Sequence, residues 1–165
     1  MNALKTSLLA VALFAGGVAS AQAAEASTDF NVTITITATC DITTVAATDV
    51  NFGSVASSAI NTDNAGSLTV NCTPGTSYNI ALNEGDNGTT ANDRAMTDGS
   101  VEVPYQLYRN AARGAGDIWG STIGTDTLTG TGSGATQSYP VFGRVPSANF
   151  PAGTYSDVVT ATVVY

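Results

Sequence analysis

The chain has 165 residues, of which 43% are apolar and 11% charged, and it contains no histidine. Thirteen acids against five Lys and Arg give a net charge of −8 at pH 7, a balance that repels nucleic acid and anionic lipid. The apolar share is too high for a disordered chain, and the length suits one domain with its own core.

Residues 1–23 have the build of a signal peptide. Lys5 supplies a positive start, Leu8–Val18 is an apolar run too short to anchor in a bilayer, and Ala21-Gln22-Ala23 is a small-x-small cleavage pattern. Ala19-Ser20-Ala21 offers a second cleavage site. Cleavage after Ala23 would remove the only lysine and leave Arg94, Arg109, Arg113 and Arg144 against thirteen acids, a net charge of −9. The product is expected to be exported through the periplasm, with no membrane span after signal cleavage and no nucleic-acid partner.

The next stretch, Thr28–Cys40, alternates strictly. Phe30, Val32, Ile34 and Ile36 fall on one face, and Asn31, Thr33, Thr35 and Thr37 on the other. Short strand patterns follow at Val50–Val55, Ser67–Cys72, Ser77–Asn83, Val101–Arg109, Tyr139–Val145 and Thr154–Tyr165. Two stretches rich in turn formers, Asn83–Ser100 and Gly120–Ser138, read as long loops. Almost nothing reads as helix, so the pattern predicts an all-β sandwich or barrel. Cys40 and Cys72, the only cysteines, enclose 31 residues. In an exported protein they are expected to form a disulfide, worth roughly 3–4 kcal/mol through loop closure, with two free buried thiols as the alternative.

The last pattern is strongly apolar: Val159, Ala161, Val163 and Tyr165 share one face, while Val158 and Val164 join Thr160 and Thr162 on the other. Such a strand is expected to be interior or paired on both edges, because an exposed apolar edge recruits other chains.

Several chemistries are missing their residues. Without histidine there is no Ser-His or Cys-His nucleophile and little basis for a zinc site. Without a lysine beyond Lys5 there is no Schiff base and no Walker-type phosphate loop. The acids Glu84, Asp86, Asp93 and Asp98 sit among turn formers and read as solvated loop acids. The stretch Asn83–Arg94 invites a calcium reading, but Gly85 and Arg94 occupy positions where an EF-hand needs ligands. A calcium site of another kind in that loop stays open. Trp119 reads as core or loop plug, with a sugar platform as the alternative. No catalytic residue, metal or cofactor is expected.

Several separate stretches resemble one family. DRAMTDGSVEVPYQLYRNAARGAGDIWG (93–120) and YPVFGRVPSANFPAGTYSDVVTATVVY (139–165) are similar to the central and closing signatures of the spore coat protein U domain. TATC (37–40), NFGSV (51–55) and LTVNCT (68–73) fit its front half. That family includes subunits of archaic, Csu-type chaperone–usher pili. The resemblance implies an incomplete immunoglobulin-like β-sandwich over residues 37–165, preceded by a donor-strand segment at 24–36. The donor side chains would be Phe30, Val32, Ile34 and Ile36. The acceptor groove and chaperone-binding strand would carry Val159, Ala161, Val163 and Tyr165. The implied disulfide is Cys40–Cys72. The implied partners are neighbouring pilus subunits, a periplasmic chaperone and an outer-membrane usher, and the implied location is a cell-surface pilus serving adhesion or biofilm formation. The single domain implies a shaft or adaptor subunit. Inserting four apolar side chains would contribute at most ~6–12 kcal/mol. Two alternatives remain: residues 30–36 are the start of an intramolecular first strand, or the chain is a coat protein that forms no thin fibre.

Overall fold

A computed structural model of the chain describes residues 22–165. The signal-peptide expectation for 1–23 therefore lies almost wholly outside the described residues. Contacts divide the chain into two units, residues 1–35 and 36–165. In the first, residues 22–35 carry no regular secondary structure and are exposed. No helix among the described residues is long and apolar enough to cross a membrane.

The second unit holds nine strands. They are β1 (Cys40–Asp41), β2 (Ile60–Cys72), β3 (Ser77–Leu82), β4 (Ala95–Thr97), β5 (Glu102–Pro104), β6 (Gln106–Tyr108), β7 (Leu128–Thr131), β8 (Thr136–Ser147) and β9 (Ala161–Val164). One antiparallel sheet has the order β1-β2-β8-β6, a second the order β7-β3-β9, and β4 and β5 form a separate ribbon. The long β2–β8 ladder runs from Ile60↔Ser147 to Asn71↔Thr136.

The period-2 rule explains the core. Leu68, Val70 and Cys72 of β2, Val141 and Val145 of β8 and Leu107 of β6 are buried in one cluster with Tyr78, Ile80 and Leu82 of β3. Two buried glycines in the inner row of the first sheet shape the rest. A Cβ on Gly66 would lie 2.2 Å from the Thr48 carbonyl oxygen, and one on Gly143 would lie 2.5 Å from Val50 Cγ1. Residues 48–52 thus cross the sheet's inner face at a distance only glycine allows. The architecture is all-β: an incomplete immunoglobulin-like sandwich with, among the described residues, one 3-10 turn at Ala115–Asp117.

Several element boundaries differ from the sequence reading. No ladder includes residues 22–39, so the alternation at 28–39 writes a face without forming a strand here. A strand exists only when its N–H and C=O groups have ladder partners. Val50–Val55 also forms no strand; the only pairing nearby is a bridge between Thr48 and Ser67. β2 begins seven residues before the apolar pattern. Its polar half is held by cross-strand pairing, including Asp63 opposite Arg144, bonded bidentately at 2.7 and 2.8 Å. The 101–109 pattern splits into β5 and β6, which belong to different sheets. Tyr105 lies at the switch, its N–H donating to the Arg94 carbonyl at 3.0 Å. The expected loops 83–100 and 120–138 contain β4 and β7.

Cys40 and Cys72 are bonded and stand opposite each other in the β1–β2 ladder. Thr39 is tied beside them: its N–H donates to Thr73 Oγ1 at 3.0 Å and its carbonyl accepts from Thr73 N–H at 2.9 Å. The domain is thus pinned at residues 39–40, three residues after Ile36.

Candidate functional site: an open groove in the sandwich

The inner faces do not close completely. A groove of about 1040 Å³ lies in the 36–165 unit. Its floor is apolar: Leu68, Leu82, Val103, Leu107, Val141 and Val145. One wall is formed by residues 47–57, with Val50 and Phe52 packed on the core. The other is formed by residues 148–161, where Phe150, Tyr155, Val159 and Ala161 lean on the same cluster. Only two charged side chains line it, Asp49 and Asp157.

β9 hydrogen-bonds to β3 by one edge and ends its sheet, so its second edge has no ladder partner. The sequence placed Val159, Ala161, Val163 and Tyr165 together. The structure brings Val159 and Ala161 to the groove. Val163 is half-buried against the core without lining the groove, and Tyr165 is 60% exposed. Sequence reasoning missed Val50, Phe52, Phe150 and Tyr155. The first two were read as a strand, Phe150 fell between the strand patterns 139–145 and 154–165, and Tyr155 was read at the start of the second. Phe52 beside Gly53 and Phe150 beside Pro151 were the signal: an aromatic next to a chain-bending residue.

Phe30, Val32, Ile34 and Ile36 are 83%, 85%, 84% and 76% exposed. Four large apolar side chains in one alternating row, all in solvent, form a patch of the kind that marks an interaction site.

The groove rests on a buried polar support. Arg94 is fully buried and pairs with carbonyl groups: Nε donates to Asn83 O at 3.0 Å, and Nη2 donates to Leu82 O at 3.3 Å and Trp119 O at 2.8 Å. Burial pushes its pKa down, and the nearby Tyr105, Asp157, Asp126 and Glu84 push it back up. Trp119 is fully buried, and its Nε1 donates to Ile80 O at 2.8 Å, so the core reading of this residue describes its position. Burial, then the hydrogen bond to Asp157, raises the pKa of Tyr105 well above the ordinary phenol value. The phenol therefore stays neutral and donates.

The loop acids are organised by their own turns. Asp93 accepts from Thr89 Oγ1 at 2.5 Å and from the Thr90 N–H at 2.5 Å, which holds its pKa at about 2. Asp41 is held at about 2 by the hydroxyl of Thr44 and by the backbone and hydroxyl of Thr43. Each lies below its unfolded value of 3.8, so the stabilisation is complete above that value and fades as pH falls towards 2. Melting followed by circular dichroism should be nearly flat between about pH 7 and 5 and fall between about pH 4 and 2. The Asp41→Asn/Asp93→Asn double variant should show a shallower fall over that window. An equally steep fall in the double variant would assign it to other acids. Among the described residues, no three acids, cysteines or histidines gather as a metal site.

The chain is 36% identical to Protein U of Myxococcus xanthus over 185 aligned positions, covering all of both chains. In structure it resembles a chain in the crystal of the CsuC–CsuE chaperone–tip adhesion subunit pre-assembly complex of the archaic chaperone–usher Csu pili of Acinetobacter baumannii. The TM-score is 0.56 and the identity 27%; the match covers 79% of this chain and 40% of the other. The family described as the Spore Coat Protein U domain matches residues 26–162, and the chain belongs to that family.

Proposed function

We propose that the protein is a non-enzymatic structural subunit of a chaperone–usher pilus, polymerising by donor-strand exchange and serving adhesion or biofilm formation. The observation that carries this reading is the groove: an apolar floor, two walls and an unpaired β9 edge. The occupant is the exposed alternating row Phe30–Ile36 of a second copy. Its backbone would supply a ladder to the free edge and its side chains would cover the floor, which is recognition by β-strand addition. Each copy gives one segment and receives another, so the contact is heterologous and does not close, and it builds a fibre. A periplasmic chaperone would occupy the groove before assembly, and an outer-membrane usher would export the subunit. This route leads to the cell surface after removal of the signal peptide. Similarity to a chain of a chaperone–subunit complex supports the chaperone as partner.

The test uses the chain carrying Ile34→Asp, which cannot donate its own segment, and a synthetic peptide of residues 25–36. At a peptide concentration about 100-fold above its Kd, the melting temperature should rise by roughly 10 °C. No shift at millimolar peptide would refute the groove as acceptor.

The full-length similarity to Protein U favours a second reading, a coat protein of the same fold that forms no thin fibre. Electron microscopy of cells expressing the chain together with a Csu-type chaperone and usher separates the two. Thin fibres support the pilus subunit, and an amorphous surface layer the coat protein.

A further inference from the structure

The groove wall has a weak point in its backbone. Ser156 bridges Thr97 and β9 starts at Ala161, so residues 157–160 lie between the two with no strand pairing. Their backbone is held only at Thr160, whose N–H donates to Asn83 Oδ1 at 2.8 Å and whose carbonyl accepts from Asn83 N–H at 3.0 Å. Apart from Val159 packing on the core, the segment's other hydrogen bonds come from one side chain. Asp157 Oδ1 accepts from the Asp86 N–H and from Asn87 Nδ2, both at 2.9 Å. Asp157 Oδ2 accepts from the Tyr105 hydroxyl at 2.6 Å. Gly85, at φ +84°, lets the loop wrap this carboxylate: a Cβ there would lie 2.1 Å from Asp157 Oδ2. One group therefore joins the wall, the 84–88 loop and the point where the chain switches from β5 to β6.

Its place in the wall is unusual. Tyr155, Asp157, Val159, Ala161 and Val163 are the partly buried row of alternate residues. Asp157 is the one charged member. An empty apolar groove tends to collapse, because closing it removes the floor from water. Collapse here would pull the Asp157 carboxylate off its three donors and towards the apolar floor. A carboxylate buried without partners is strongly unfavourable.

We propose that Asp157 is a positioning residue that props the empty groove open and so controls the rate at which a donor strand enters. This rests on the donor-strand reading. The prop acts before insertion, so its removal lowers the fraction of molecules ready to accept a strand and leaves the filled groove little changed. Lost competence lowers the association rate in proportion.

The test measures association and dissociation of a fluorescein-labelled peptide of residues 25–36 on the full exported chain carrying Ile34→Asp. Adding Asp157→Ala should lower kon about tenfold and leave koff within about twofold. Asp157→Asn keeps one acceptor oxygen, for the Asp86 N–H, and turns its amide NH2 towards the Tyr105 oxygen, so it should restore part of kon. Tyr105→Phe removes one arm of the prop without altering the wall and should lower kon about threefold. A merely structural role would lower the melting temperature with kon unmoved. Unchanged kon in Asp157→Ala, or a loss of affinity carried by koff alone, overturns the proposal. If Asp157→Ala does not fold, unchanged kon in Tyr105→Phe overturns it. If the peptide fails to bind the chain with Asp157 intact, the donor-strand reading itself falls.

Discussion

Ile34→Asp is expected to abolish fibre assembly while leaving the chaperone-bound subunit folded. Ile34 is 84% exposed, so the substitution removes nothing that the described fold buries. On the donor-strand proposal the new carboxylate would enter a groove with an apolar floor and no cation in its lining. Losing the isoleucine contact and burying an unpaired carboxylate together cost at least about 4 kcal/mol, or roughly a thousandfold in affinity. Loss of the high-molecular-weight ladder on unheated gels, with an unchanged yield of the chaperone complex, is the expected pair of results. A variant that cannot be recovered even with its chaperone would mean that residues 30–36 form an intramolecular first strand.

The second large effect is on stability. Arg94→Met should destabilise the subunit by about 3–5 kcal/mol in urea unfolding, or prevent its recovery. The guanidinium meets four backbone carbonyls from three stretches of the chain, those of Leu82 and Asn83, of Ala91 and of Trp119. Removing it leaves these acceptors buried without a donor, each costing about 1–3 kcal/mol, while some energy returns because a desolvated charge is gone. Arg94→Lys should recover less than half of the loss, because an ammonium group is a point donor and cannot match the fork. A Lys variant as stable as the native chain would show that charge, not geometry, is what Arg94 supplies.

The strands that alternate and are bounded by turn formers were legible from the residues alone. β3 falls within Ser77–Asn83, and β8 contains Tyr139–Val145. The polar half of β2, Ile60–Gly66, was not legible, since nothing in INTDNAG has a period. It is a strand because β8 runs beside it and Arg144 reaches Asp63. The reverse happened at Val50–Val55. There the composition writes a strand, but Gly66 and Gly143 draw the segment across a sheet face, where it has no ladder. Propensity describes what a pleated surface tolerates, and pairing needs a neighbour.

The groove shows the same division. The alternation of Phe30, Val32, Ile34 and Ile36, the apolar rows around Val159 and the disulfide between Cys40 and Cys72 were readable because each depends on order along the chain and on compartment. The all-β class followed from the same local patterns. The tertiary structure alone decided which apolar residues remain uncovered. It left Val159 and Ala161 at an open wall, set Val163 half-buried against the core, and seated one aspartate in the row between Tyr155 and Val159. A cavity is the space between segments distant in sequence, here residues 47–57 and 148–161, and no local pattern of residues encodes the distance between them.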